Sequence, residues 1–124
     1  MMKRMFLLAF AFCLLTGTVN AQTANELIGK WKLVKWTKKG KEKNILSEFK
    51  TDQVYQVFQE KNKFISINGD KQHKGKWKLS KDNTILTIRS GVFVVNSKID
   101  YFDTKKRIIT SDELGTLEYE KVAE

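Results

Sequence analysis

Few side chains in this chain have the type and spacing that covalent or acid–base chemistry requires. His73 is the sole histidine in 124 residues. It follows the polar turn Asn68-Gly69-Asp70-Lys71, which marks it as a surface residue rather than a general base. Ser66, Ser80 and Ser90 lack the glycine-flanked elbow that presents a nucleophile, and no GxSxG occurs. Asp100 and Asp103 are near enough in sequence to serve as acid and base, but Asp103 reads as a turn residue. Asn68-Gly69-Asp70 is too short for a calcium loop, which needs further oxygen ligands. HExxH, P-loop and dinucleotide patterns do not occur. The expectation is a non-enzymatic protein with no catalytic residue, no metal and no cofactor.

Binding chemistry is better supplied. Trp36 stands just ahead of Lys38, Lys39, Lys41 and Lys43, and the rings of Phe58 and Phe64 flank a short polar link. Lys71 and His73 add further nitrogen groups later in the chain. A ring-lined interior under a rim of ammonium groups suits a small apolar or anionic amphiphilic ligand, such as a fatty acid. The candidate contacts are Trp36, Phe58, Phe64, Lys38 and Lys71. Runs of lysine ordinarily do no more than hold solvent, so these cations matter only where the fold gathers them around an apolar space.

The elements that do this gathering are expected after residue 21. Lys3 and Arg4 precede an apolar run from Met5 to Leu15, and Val19-Asn20-Ala21 offers small side chains at a cleavage site. This is the pattern of a signal peptide, cut between Ala21 and Gln22. The run is too short to span a bilayer, and no later stop-transfer segment follows. Cys13 lies inside the run behind the bulky Phe12, which does not fit lipid attachment, and cleavage removes it. The expected product is exported, periplasmic or secreted. It is a cysteine-free domain over residues 22–124, held by burial and backbone pairing rather than by disulfides. Thiolate metal sites and cysteine nucleophiles are thereby excluded.

Loss of Lys3 and Arg4 leaves 21 basic against 14 acidic residues, a net charge of +7. Such a charge favours contact with anionic surfaces but says nothing about fold. Export, and the lack of an aromatic stacking strip, argue against nucleic acid as the partner.

Apolar alternation broken by turn residues recurs at intervals of about ten residues, the signature of short strands in hairpins. Strands are predicted at Lys30–Lys38, Val54–Gln59, Lys63–Ile67 and Gln72–Ser80, then at Thr84–Arg89, Val92–Phe102, Lys106–Ser111 and Thr116–Val122. The links between them are hairpin-sized, with Asn68-Gly69 and Ser90-Gly91 as strong turn signals. The exception is the long connection 39–53, where residues 45–49 suit a short helix or flap. Eight sequence-adjacent antiparallel strands imply an up-and-down barrel, since closure removes both edges. No proline interrupts a strand. A five-stranded OB-type barrel would leave about three strands unused.

The pentapeptide GKWKL occurs twice, at 29–33 and 75–79. In each copy Trp and Leu share one strand face while lysines take the other. Gly29-Lys30-Trp31 resembles the GxW signature of the lipocalins. The whole chain after the leader is similar to short bacterial lipocalin-like domains, which share LxGxWxL (here Leu27 to Leu33) and GxWxLxxDxxxL (here Gly75 to Leu86). The resemblance implies a barrel able to hold an apolar ligand and names no ligand. Larger lipocalins also carry an arginine in the last strand that packs over the first-strand Trp. No arginine follows Arg107, so this feature is expected to be absent.

Alternation of hairpin loops between the two barrel ends places Trp31 and Trp77 together at the closed end, as indoles plugging the floor. Trp36 lies on the opposite face of its strand from Trp31 unless a bulge intervenes, and it approaches the mouth. With Phe58 and Phe64 inward, Tyr55, Val57, Ile65 and Ile67 face out, so a flap or a protein partner is needed to cover them. Leu86, Ile88, Phe93, Val95, Ile99, Tyr101, Ile109, Leu117 and Tyr119 form the rest of the expected core. With so many large rings the interior is small or wholly filled. A filled interior leaves a protein-interaction or inhibitory module as the alternative function.

Overall fold

The computed structural model describes residues 24–123. The expected leader, residues 1–21, and its cleavage site lie outside them. Among these residues nine strands form one antiparallel sheet: β1 Gly29–Lys38, β2 Lys41–Lys43, β3 Val54–Gln59, β4 Lys63–Asn68, β5 Lys71–Leu79, β6 Ile85–Ser90, β7 Phe93–Phe102, β8 Lys106–Ser111 and β9 Gly115–Val122. β9 returns to β1, from Lys30↔Val122 to Thr37↔Thr116. Eight strands (β1 and β3–β9) therefore close into the all-β barrel that the alternation predicts.

β2 is the strand that sequence reading missed. It folds back on the end of β1 with Trp36 opposite Lys43 and Lys38 opposite Lys41. The reversal uses Lys39 at φ 53 and Gly40 at φ 78, the left-handed pair that a two-residue hairpin demands. A lysine in that conformation is uncommon, so the turn was hidden in a lysine run.

The long connection then enters the helix Ile45–Phe49. Asn44 caps it, its side-chain oxygen accepting the Ser47 amide at 2.8 Å, and Lys50 ends it in a left-handed conformation. Replacing Asn44 by alanine is expected to cost about 1 kcal/mol of local stability. Hydrogen exchange should then quicken in residues 45–49 and stay unchanged in β6–β8.

Trp31, Leu33, Phe58, Phe64, Leu86, Ile109, Leu117 and Tyr119 form the buried core with Leu27 and Trp77. Of the expected core, Ile88 and Ile99 are partly buried against this cluster, Val95 is half-buried outside it, and Phe93 and Tyr101 are exposed. Phe93 is 74% exposed, because its pairing with Ser90 closes the β6–β7 hairpin and no strand lies beyond it. Tyr101 is 46% exposed. The register of β7 slips between Ile99 and Tyr101, so the residues after Asp100 exchange faces and Phe102 turns inward beside Trp31 instead.

Candidate functional site

The closed end is packed solid. Trp31, 0% exposed, donates its indole N–H to the carbonyl of Leu27 at 2.9 Å. This ties the first strand to the helical turn of residues 24–27. Lys121 clamps the same turn, donating to the carbonyl of Glu26 at 2.8 Å. Trp77 donates to the carbonyl of Gln59 at 3.1 Å. Phe58 stands edge-on to Trp77, with ring centres 5.7 Å apart, and 5.1 Å from Phe64. Phe58 and Phe64 therefore belong with the two indoles of the floor.

Arg107 lies in the middle of this packing, 1% exposed. Its guanidinium carbon sits 4.2 Å from the ring centre of Tyr119, 4.8 Å from Phe58 and 5.0 Å from Trp31. The arginine over the first-strand Trp, expected to be missing, is thus present. It comes from the penultimate strand, which a search for an arginine in the last strand overlooks. One Nη donates to Gln56 Oε1. The other Nη and Nε are buried with no hydrogen-bond partner, and no carboxylate pairs with the group among the described residues. Burial pushes Arg107 down to about 10 and Tyr119 up to about 12. At neutral pH the barrel centre therefore holds one positive charge beside a neutral phenol. Three aromatic faces offset part of its desolvation.

Above this layer the interior opens. A pocket of about 230 Å³ is walled by Leu33, Trp36, Phe49, Val54, Leu114 and Leu117, and Gln56 and Tyr119 also line it. Because both of these touch Arg107, they set the cation directly behind the pocket. Trp36 faces this space because the β1–β9 register shifts between Leu33 and Lys35. That bulge returns Trp36 to the face of Trp31. Its indole N–H donates to the carbonyl of Leu114 at 2.6 Å, and its ring meets Phe49 at 5.5 Å. The flap thus turns into the mouth rather than over the outer wall, where Val57 and Ile65 pair side by side.

The other expected contacts are dispersed. Lys38 lines an open, charged groove with Lys41, Lys43 and Glu48 on the outside of the β1–β2 turn. Lys71 is exposed and pairs with Asn68 at the start of β5. By alternation from Trp77, Lys71 and His73 share the inward face of that strand, yet both are exposed at the rim. The structure brings Trp36 to the pocket and leaves Phe58, Phe64, Lys38 and Lys71 outside its lining. It adds Phe49, Gln56, Tyr119 and, behind them, Arg107. Period-two spacing carried that signal: Gln56 alternates with Val54 and Phe58, and Arg107 with Ile109.

Asp103 is a turn residue, as read: it accepts the amides of Lys105 and Lys106 and the hydroxyl of Tyr101. These bonds hold its carboxyl below the usual range, the Tyr101 hydroxyl foremost. Asp100 instead accepts from the Thr110 hydroxyl. Among the described residues no group of histidine, cysteine or carboxylate side chains is arranged to hold a metal.

No curated protein matches the chain. The sequence pattern of the lipocalin-like domain matches residues 27–114, well over half of the chain, and spans both tryptophan motifs, strands β1 to β8 and the arginine beneath the pocket. The chain belongs to the lipocalin-like domain family.

Proposed function

We propose that this protein is an exported binding protein that holds a small apolar or anionic amphiphilic ligand in the mouth of its barrel. The observation that carries the reading is the apolar pocket of about 230 Å³ set over an unpaired buried guanidinium. Its volume lies below the roughly 300–1,000 Å³ of drug-sized sites. The occupant is therefore a small molecule, or one end of a longer chain whose remainder leaves through the mouth. Two donor nitrogens without a partner in a low-dielectric interior favour an anionic end group, since they gain a charge-assisted partner at little further desolvation cost. The family fold is a binding scaffold, and the polar groups here orient a ligand rather than transform one. Export rests on the leader-like residues 1–21.

Native mass spectrometry of protein purified from its own envelope should show a bound small-molecule mass. Added medium-chain fatty acid should change Trp36 emission, read as the difference between the wild type and Trp36→Phe. Absence of any adduct together with an unchanged Trp36 signal would overturn the reading. Arg107→Met separates function from stability. Loss of three cation–π contacts is offset by removal of a buried, under-bonded charge, so stability should stay within about 2 kcal/mol of wild type. Affinity for a carboxylate ligand should fall by about tenfold or more.

The densely filled lower half of the barrel favours a second reading, a protein-interaction or inhibitory module without a small-molecule ligand. It predicts a self-associated or partner-bound species by light scattering, whereas a ligand carrier runs as a monomer.

A further inference from the structure

The outer wall over β4, β5 and β6 is strongly basic. On that face these three strands carry Lys63, Lys74, Lys76, Lys78 and Arg89, and none of the three contains an aspartate or glutamate. Lys63 pairs directly with Lys76, and Lys76 directly with Arg89. Three cations therefore stand in one cross-strand row with about 4.8 Å between strands, and all three are exposed. Like charges set opposite one another weaken a sheet. Across β8 and β9, by contrast, opposite charges meet, as where Lys106 lies 3.6 Å from Glu118. The nearest carboxylates in sequence lie in the connecting loops, at Glu60, Asp70 and Asp82. That of Asp82 is taken up by Ser80 and Thr84. On β7, Asp100 is bonded to Thr110.

The row ends on an apolar tip. Arg89 pairs with Val94, and the β6–β7 turn beyond it leaves Val92 92% and Phe93 74% exposed. Scattered single apolar residues on a surface need no explanation. Adjacent valine and phenylalanine side chains exposed at a tight hairpin tip, one residue pair beyond the Arg89 end of an unbalanced cationic row, do call for a partner. That partner must be negatively charged across its surface and apolar just beneath it.

We infer that this wall docks on an anionic phospholipid surface, the Lys63–Lys76–Arg89 row meeting headgroup phosphates while Val92 and Phe93 enter the acyl boundary. The charge pattern by itself suits any polyanion. The apolar tip at the end of the row favours a bilayer, because a soluble polysaccharide or nucleic acid gives an aliphatic valine and an unstacked phenylalanine nothing to bury against. The association is peripheral: among the described residues no helix is long and apolar enough to cross a membrane. It is independent of the pocket and of what the pocket holds.

The test is co-sedimentation of the purified protein, its N-terminus determined by intact mass, with phosphatidylcholine vesicles lacking or containing phosphatidylglycerol. Binding should require the anionic lipid and weaken with salt. Lys63→Gln, Lys76→Gln and Arg89→Gln combined should lower partitioning roughly a hundredfold, at about fivefold per charge. Phe93→Ser should lower it about tenfold. All four positions are exposed, so unchanged thermal unfolding verifies that the variants are folded. Equal binding to pure phosphatidylcholine overturns the proposal. So does heparin binding that depends on the basic row, combined with vesicle binding indifferent to Phe93→Ser, which would assign the wall to a soluble polyanion instead.

Discussion

Trp31→Ala is expected to lower the free energy of unfolding by about 3–5 kcal/mol, a large part of the 5–15 kcal/mol typical of a small domain. The indole has no exposed surface and holds four things in place. Its N–H binds the carbonyl of Leu27, its ring meets Phe102 at 6.0 Å, Lys121 lies 5.3 Å from its centre, and Arg107 stacks on it. Removal leaves a cavity and withdraws one of the three rings that shield a buried charge. Urea unfolding followed by circular dichroism measures the loss. Trp36→Ala is the internal comparison: Trp36 is only partly buried at an open pocket, so it should cost less than half as much. Equal losses for the two would contradict a filled floor beneath an open mouth.

The second large effect is expected at Gly75, where alanine should cost about 3 kcal/mol, the upper part of the usual overpacking range. A Cβ added there would run into the backbone carbonyl oxygen of Arg89, with the Ser90 Cα only 3.2 Å away. Neither can retreat without opening β5–β6, a seam whose register runs only from Lys76↔Arg89 to Leu79↔Leu86. Immediately above it, Ser90 donates its hydroxyl to the Lys74 carbonyl. Unfolding should be accompanied by faster amide exchange at this seam before the rest of the barrel. The matching glycine of the other GKWKL copy has a different reason for being glycine. Gly29 sits at φ 138, and the nearest obstacle to a Cβ is the movable end of Lys121, at 2.6 Å. There the cost is backbone strain. An alanine at Gly75 that left both stability and exchange unchanged would show that the two strands do not approach as closely as the barrel requires.

The repeated motif shows what a linear pattern conveys. Glycine, then Trp and Leu in phase, identifies a strand entering a core, and the reading needs no knowledge of the partner strand. The same locality explains why β3 and β8 are found at their predicted bounds and why Ile45–Phe49 is a helix: alternation, turn residues and an asparagine cap act within a few residues of themselves. Closure was also legible, because eight sequence-adjacent antiparallel strands with a buried face have few other ways to hide two edges.

The site was legible only in part. Trp36 has an aromatic ring in the right strand, but its direction depends on a bulge set by pairing with β9, at the far end of the chain. Phe58 and Phe64 are inward as read, yet their depth in the barrel follows from strand stagger, which puts them against Trp77. Arg107 was in phase with Ile109 and still passed over. A cation in a core contradicts the apolar pattern, and only three rings from three other strands make that position tolerable.

The amino-acid order alone therefore determined the eight barrel strands, their handover through short turns, the face each presents away from its bulges and the barrel they close, all consequences of forces acting over neighbouring residues. Tertiary structure decided which rings fill the floor and which line the mouth. It also set an unpaired guanidinium behind the pocket and aligned three cations from separate strands into one row. Register between distant segments sets these arrangements, and register is an outcome of the whole barrel closing rather than of any one stretch of chain.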